Sequence, residues 1–226
     1  MKFLQIHQEL NPKLWEPRGT LKSSVRGALL RIAQDFRQFV DIDFPIVDIV
    51  ITGSNVNYNY QEDSDLDLHL VSDYKRTDCD DELEELFDTK RHLYEQTHDI
   101  RIYGIPVTLY VEDLSTPGVS AGLYSVKQNK WLQKPQRVQP NINSKEIQAM
   151  LAVWQIILSH SEHAQDLDTL ITTQHLLRQY RKQGLKLPQG EFSTPNLVYK
   201  ALRSDGSLQR LNDLIIKLED QELSIG

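Results

Sequence analysis

The chain has 226 residues, 39% of them hydrophobic, and a net charge of −7 from 32 acidic and 25 basic residues. That is enough chain for one large domain or two small ones with an adequate core, and the acidic balance, with no basic tail, argues against bulk electrostatic capture of nucleic acid. The single cysteine, Cys79, excludes an intrachain disulfide; no apolar stretch approaches the roughly 20 residues of a membrane helix, and the start, Met1 to His7, is too polar and short for a signal peptide. These features lead us to expect a cytoplasmic protein with no membrane partner.

In chain order, Leu21, Val25, Leu29, Ile32, Phe36 and Phe39 recur at steps of three and four, which predicts an amphipathic helix over residues 21–41. Ile46 to Thr52 is a β-branched run broken only by Asp48 and predicts a strand. A second alternating run, Asp65-Leu66-Asp67-Leu68-His69-Leu70, predicts another. Residues 80–97 predict a helix with Leu83, Leu86, Phe87, Leu93 and Tyr94 on one face and acids in its first turns, where the helix dipole favours them. Residues 100–102 and 107–111 predict a hairpin around Gly104. Residues 112–143 read as an extended loop with a short strand at 123–126, and 134–143 as a linker.

Four helices follow. The first is capped by Ser144 with Ile147, Leu151, Trp154, Ile157 and Leu158 inward; the second runs from Ala164 to Gln183 and stops at Gly184; the third opens with Thr194 as cap and Pro195 in the first turn; the fourth follows the break Ser204-Asp205-Gly206. The expected architecture is α+β: a small mixed-sheet domain over 1–133 and a C-terminal helical bundle over 144–226, walling a cleft between them.

Chemistry concentrates in two short segments. Ile51-Thr52-Gly53-Ser54 closes the first motif strand with a glycine that lets backbone N–H groups approach phosphate oxygens. Asp65 and Asp67, two apart on the next strand, leave one face while Leu66, Leu68 and Leu70 anchor the other. Two carboxylates on one rigid face form a hard-oxygen site suited to Mg²⁺. The plain alternative is a hairpin with a polar loop and a solvated strand face.

The run Thr52 to Tyr60, followed by Ser64-Asp65-Leu66-Asp67-Leu68-His69, resembles the polymerase-β-like nucleotidyltransferases, in particular a phage and bacterial branch of predicted members. The resemblance extends to Leu10-Asn11-Pro12-Lys13-Leu14-Trp15, Leu86 to Arg91, Thr97 to Ile100, Asn129-Lys130-Trp131, Gly190-Glu191-Phe192-Ser193 and Asn196 to Lys200, nearly the whole chain. It implies a reaction class: Asp65 and Asp67 bind Mg²⁺ or Mn²⁺, Gly53 and Ser54 hold phosphate oxygens of a nucleoside triphosphate, and a nucleoside monophosphate passes to an acceptor hydroxyl. RNA, protein and small-molecule acceptors all stay open, as does the base. The chain departs from the resembling sequences at Thr108, where they carry a third acid. Glu112, roughly 13 Å along the same strand face, and Asp99 are the local candidates to replace it.

Further cations are expected to meet a triphosphate. We single out Lys130, whose neighbour Trp131 would add a stacking surface, with Lys127, Arg137 and Lys75-Arg76 as other candidates. Tyr58 and Tyr60 are candidate base-stacking residues. Arg178, Tyr180, Arg181, Lys200 and Arg203 are candidates on the helices; the plain reading of each is a solvated surface residue. His69 shares the face of Asp65 and Asp67 and is expected beside the metal ligands. His160 and His163 lack the further ligands a zinc site needs, and Cys79, flanked by acids, is expected to be inert. The leading expectation is a nucleotidyltransferase; the rival is a catalytically weakened nucleotide- or partner-binding regulator of phage type on the same fold, acting in the host cytoplasm if phage-encoded.

Overall fold

The computed structural model describes residues 5–42, 44–74, 80–114, 121–141 and 144–224, without the side chains of 80–82 and 84. The candidates Lys75, Arg76 and Cys79 lie outside the described residues. The fold is mixed α/β, with six α-helices and a six-stranded mixed sheet among the described residues. Two compact units divide the chain, Gln5–Val138 and Gln139–Gly226, and the division falls inside the segment 134–143. No helix among the described residues is long and apolar enough to cross a membrane.

The first unit contains helix α1 (Ser23–Val40), strands β1 (Ile46–Thr52) and β2 (Leu66–Ser72), helix α2 (Asp80–Thr97), then β3 (Arg101–Ile102), β4 (Ile105–Asp113), β5 (Leu123–Ser125) and β6 (Lys130–Gln133). Their order across the sheet is β3-β4-β2-β1-β5-β6. β2 and β4 pair in parallel, joined through α2; every other pair is antiparallel. Val25, Leu29, Ala33, Phe36 and Val40 of α1 and Leu83, Phe87 and Tyr94 of α2 cluster with Ile51, Leu66, Leu68, Leu70, Val107 and Leu109. The strand period therefore sends Thr52, Asp67, His69, Thr108, Tyr110 and Glu112 to the opposite, polar face.

Several local features depart from expectation. β6 forms where an extended loop was expected: Lys130 and Trp131 pair with Ser125 and Tyr124. Asp48, the polar break in β1, sits at a register shift. Its carboxylate accepts from Ser125 Oγ (2.7 Å), Gln128 Nε2 (2.9 Å) and its own neighbour Ile49 N (2.8 Å). β3 is so short that, among the described residues, the outer edge of β4 lacks a strand partner at Leu109, and Glu95 Oε1 of α2 accepts from Leu109 N there (3.2 Å). On α2, Leu86 and Leu93 are 38% and 50% exposed rather than inward.

The second unit holds α3 (Lys145–Ala164), α4 (Leu167–Leu185), α5 (Thr194–Ser204) and α6 (Ser207–Leu223), with α5 packed on each of the other three. Ile147, Leu151, Trp154 and Leu158 of α3 are buried as the spacing predicts, but Ile157 is exposed. Gly184 does not end α4. It lies inside the helix, where a Cβ would fall 2.6 Å from Pro195 Cβ and 2.8 Å from Ser193 Oγ, so its role is to let the start of α5 approach. Ser144 caps α3, its hydroxyl accepting from Ile147 N at 3.2 Å. Ser144→Ala is expected to cost about 1 kcal/mol, read as a lower urea midpoint at unchanged slope.

Candidate active site

At the end of β1 the chain turns at Gly53 (φ 82°, ψ −168°) into a short 3-10 turn, Ser54–Val56. That backbone region is open to glycine almost alone. A Cβ on Gly53 would also fall 2.1 Å from Asp67 Oδ2. The carboxylate of β2 thus lies directly on the Gly53 Cα.

Asn55, fully buried, fixes this loop. Its Nδ2 donates to the carbonyls of Ser64 (3.1 Å) and Asp65 (2.7 Å), and its Oδ1 accepts from Asn11 Nδ2 (2.7 Å). Its own carbonyl accepts from Trp15 Nε1 at 2.9 Å. Ser54 Oγ donates to Ser64 Oγ (2.9 Å), which also accepts from Gln61 N (2.8 Å). The turn after β1 and the segment leading into β2 are therefore bonded to one another, and the Asp65 backbone is held by the loop it faces.

Asp65 immediately precedes β2 and Asp67 is its second residue. Asp67 is paired with Thr52 on β1 and with Thr108 on β4. Thr108 Oγ1 donates to Asp65 Oδ2 at 3.1 Å. Gly53, Asp65, Asp67 and Thr108 thus meet at one end of the polar face. The register confirms that Thr108 stands beside Asp67, whereas Glu112 pairs with Val71 farther along.

Beyond Asp67 the face continues with His69, whose Nε2 is 3.2 Å from Thr52 Oγ1. Its Nδ1 is 3.1 Å from Glu112 Oε2 but makes no aligned hydrogen bond. The imidazole stacks on Tyr110 at 4.7 Å between centroids. Burial raises the Tyr110 pKa first; Asp67 and Asp65 raise it further, and Arg91 opposes them. The phenol remains a donor through the neutral range. Arg91 lies 5.2 Å from the centre of the Tyr110 ring and is held by Asp88 (2.6 Å) and Glu95 (3.0 Å).

The other candidates are not gathered here. Asp99 is bonded to Arg101 Nε (2.9 Å) on an exposed turn. Lys130 sits on β6, three strands from β2, or about 14 Å at about 4.8 Å per strand. Its expected partnership with Trp131 also fails, because successive strand residues face opposite ways. Trp131 stacks on Trp15 at 4.7 Å and donates to Gly19 O (2.7 Å), while Lys130 is exposed. Lys127 bonds the carbonyls of Ile46 and Val47, and Arg137 bonds Gln8 Oε1. Tyr60 stacks on His7 at 3.8 Å; Tyr58 lines a cavity of about 480 Å³ with Trp15, Trp131 and Lys134. His163 bonds its own helix at Ser159 O (2.6 Å). Among the described residues no group of three or more His, Cys, Asp or Glu side chains gathers as a metal site. Asp65 and Asp67 stand as two carboxylates at this end of the face.

Sequence reasoning missed Asn55, Tyr110 and Arg91. Tyr110 was accessible through the strand period that puts it on the face of Thr108. Nothing in the sequence marks the four-way bonding of Asn55. No family model matches the chain, and neither a curated protein nor a solved structure matches it.

Proposed function

We propose that this chain is a nucleotidyltransferase of the polymerase-β-like kind, with an α+β catalytic domain over 1–133 and a C-terminal helical bundle over 144–226. It binds a nucleoside triphosphate with Mg²⁺ or Mn²⁺, transfers the nucleoside monophosphate to an acceptor hydroxyl and releases pyrophosphate, in the cytoplasm. The observation that supports this most is the contact of Asp67 Oδ2 with Gly53. A phosphate bound on the N–H groups of the Gly53-Ser54 turn would lie beside two carboxylates, an arrangement that is repulsive unless a divalent cation intervenes.

The donor set fits that cation: Mg²⁺ takes one or two protein carboxylates and keeps several waters. When bound, it supplies neutralisation and polarisation of the phosphoryl oxygens. The chain's own groups do the rest. Gly53 leaves room for close approach of the phosphate, and the Ser54 hydroxyl, now on Ser64, is placed to turn toward it. Thr108 holds one oxygen of Asp65 and so fixes the carboxylate's orientation.

A second reading draws on Thr108. With a hydroxyl where the resembling sequences carry an acid, a phage-type nucleotide-binding regulator without transfer activity is the alternative. Incubation with α-labelled nucleoside triphosphates, Mg²⁺ or Mn²⁺, and RNA and protein acceptors separates the two. Label transfer supports the enzyme, metal-dependent binding without transfer supports the regulator, and if neither is seen both readings fall.

Thr108→Glu tests the missing acid. Because Thr108 is in register with Asp67 and bonded to Asp65, a carboxylate there joins both. Metal affinity should rise and transfer should appear or accelerate, while stability falls by roughly 1–3 kcal/mol from the larger side chain. Unchanged metal affinity in a folded variant would show that another acid already completes the site.

A further inference from the structure

The second unit carries a cationic cluster in which, among the described residues, one ion pair is formed. Asn196, Lys200 and Arg203 follow one another on α5 at steps of four and three, which places them on one helix face, and Arg181 reaches them from α4. The Lys200 side chain is 20% exposed, and the carboxylate paired with it among the described residues, Glu191 (15% exposed), is 3.9 Å away. That distance is too long for a hydrogen bond, and the ammonium donates none to any described residue. Arg181 is fixed from two sides. Its Nε donates to Asn196 Oδ1 (3.2 Å), and its guanidinium carbon lies 4.6 Å from the centre of the Tyr199 ring. Asn196 is in turn anchored through Nδ2 to Glu191 O at 2.7 Å. The terminal nitrogens of Arg181 have no hydrogen-bond partner among the described residues.

Among the described residues one carboxylate, Glu191, pairs with Lys200, while Arg203 and Arg181 stand near it as like charges. Burial lowers the Lys200 pKa first; Glu191 opposes this, and Arg203 and Arg181 lower it further. A half-buried ammonium with unmet donors and two positive neighbours is unfavourable unless an anion joins it. A carboxylate would leave positive charge over, whereas a phosphate chain supplies both the charge and the spread of oxygens that a guanidinium fork and an ammonium bind.

We propose that Arg181, Lys200 and Arg203 form an oxyanion site for the phosphate chain of an oligophosphate ligand. The assignment rests on the helices alone and does not depend on Asp65 and Asp67.

The test uses the full chain in EDTA, titrated calorimetrically with sodium tripolyphosphate, with ATP and with acetate. Tripolyphosphate should bind without metal, both in the parent and in a chain carrying Asp65→Asn and Asp67→Asn, and acetate should not. Lys200→Met and Arg203→Met should each weaken it about tenfold or more, the usual worth of a hydrogen bond to a charged group. Arg203 is exposed, so that variant keeps its fold. Lys200→Arg should recover part of the loss. ATP binding tighter than tripolyphosphate identifies a nucleotide as the source of the phosphates; the reverse identifies free polyphosphate. The proposal is overturned if tripolyphosphate does not bind in EDTA, if acetate binds as well, if both methionine variants bind like the parent, or if binding vanishes in the Asp65→Asn, Asp67→Asn chain. Failure of label transfer while this binding persists would count against the enzyme reading and leave this site standing.

Discussion

A chain carrying Asp65→Asn and Asp67→Asn is expected to fold normally and to lose divalent metal binding at the sheet by more than about 100-fold, the upper end of what outer-shell changes alone cost. The amides keep the shape of the carboxylates, and Thr108 Oγ1 can still donate to the oxygen of Asn at position 65, so the bond of 3.1 Å seen in the parent has a counterpart. What disappears is the pair of negative charges that hold a hard cation and repel phosphate in its absence. Nucleotide binding should then become independent of metal. Circular dichroism checks the fold, and calorimetry with Mg²⁺ or Mn²⁺ checks the binding. Metal-dependent affinity equal to that of the parent would remove the carboxylate pair from the mechanism.

Gly53→Ala is expected to damage both stability and metal binding. Its φ of 82° and ψ of −168° fall in a region nearly closed to other residues, at a cost of about 1–3 kcal/mol. The added Cβ would stand 2.1 Å from Asp67 Oδ2, so the carboxylate must move. Accommodating that displacement costs about another 1–3 kcal/mol. Gly104→Ala is the control: Gly104 also has a positive φ, of 83°, but a Cβ there would meet nothing within 4 Å. Both variants should unfold at lower denaturant, and Gly53→Ala alone should lose metal affinity. Equal metal affinity in the two would show that the contact between Asp67 and Gly53 does not shape the site.

The parts legible in the sequence were those set by periodicity. Ile46–Thr52 is a strand, Asp80–Thr97 a helix, and the break at Ser204-Asp205-Gly206 separates two helices, as the patterns predict. The polar face was legible where residues follow the period of a single strand, as with Asp67 and His69 on β2 and Thr108 and Tyr110 on β4. The site was not legible where residues act across the sheet. Lys130 and Trp131 are adjacent in sequence, yet β6 pairing sends one to solvent and the other into a stack with Trp15. Asn55 draws its partners from Asn11, Trp15, Ser64 and Asp65, and only the assembled loop brings them together. Gly184 carries the same lesson on the helices: a helix-ending residue by local rules, it is placed inside α4 by the approach of Ser193 and Pro195.

The bond from Leu109 N to Glu95 has a consequence for solubility. An edge strand with unmet N–H groups is a template on which another chain can add a strand and begin to aggregate. Glu95 fills one such position on β4 and is itself held by Arg91 at 3.0 Å. An incoming strand must first displace a charge-assisted pair, and it would be pairing one residue away from Thr108. The clasp on this edge therefore protects the same strand that completes the polar face beside Asp67.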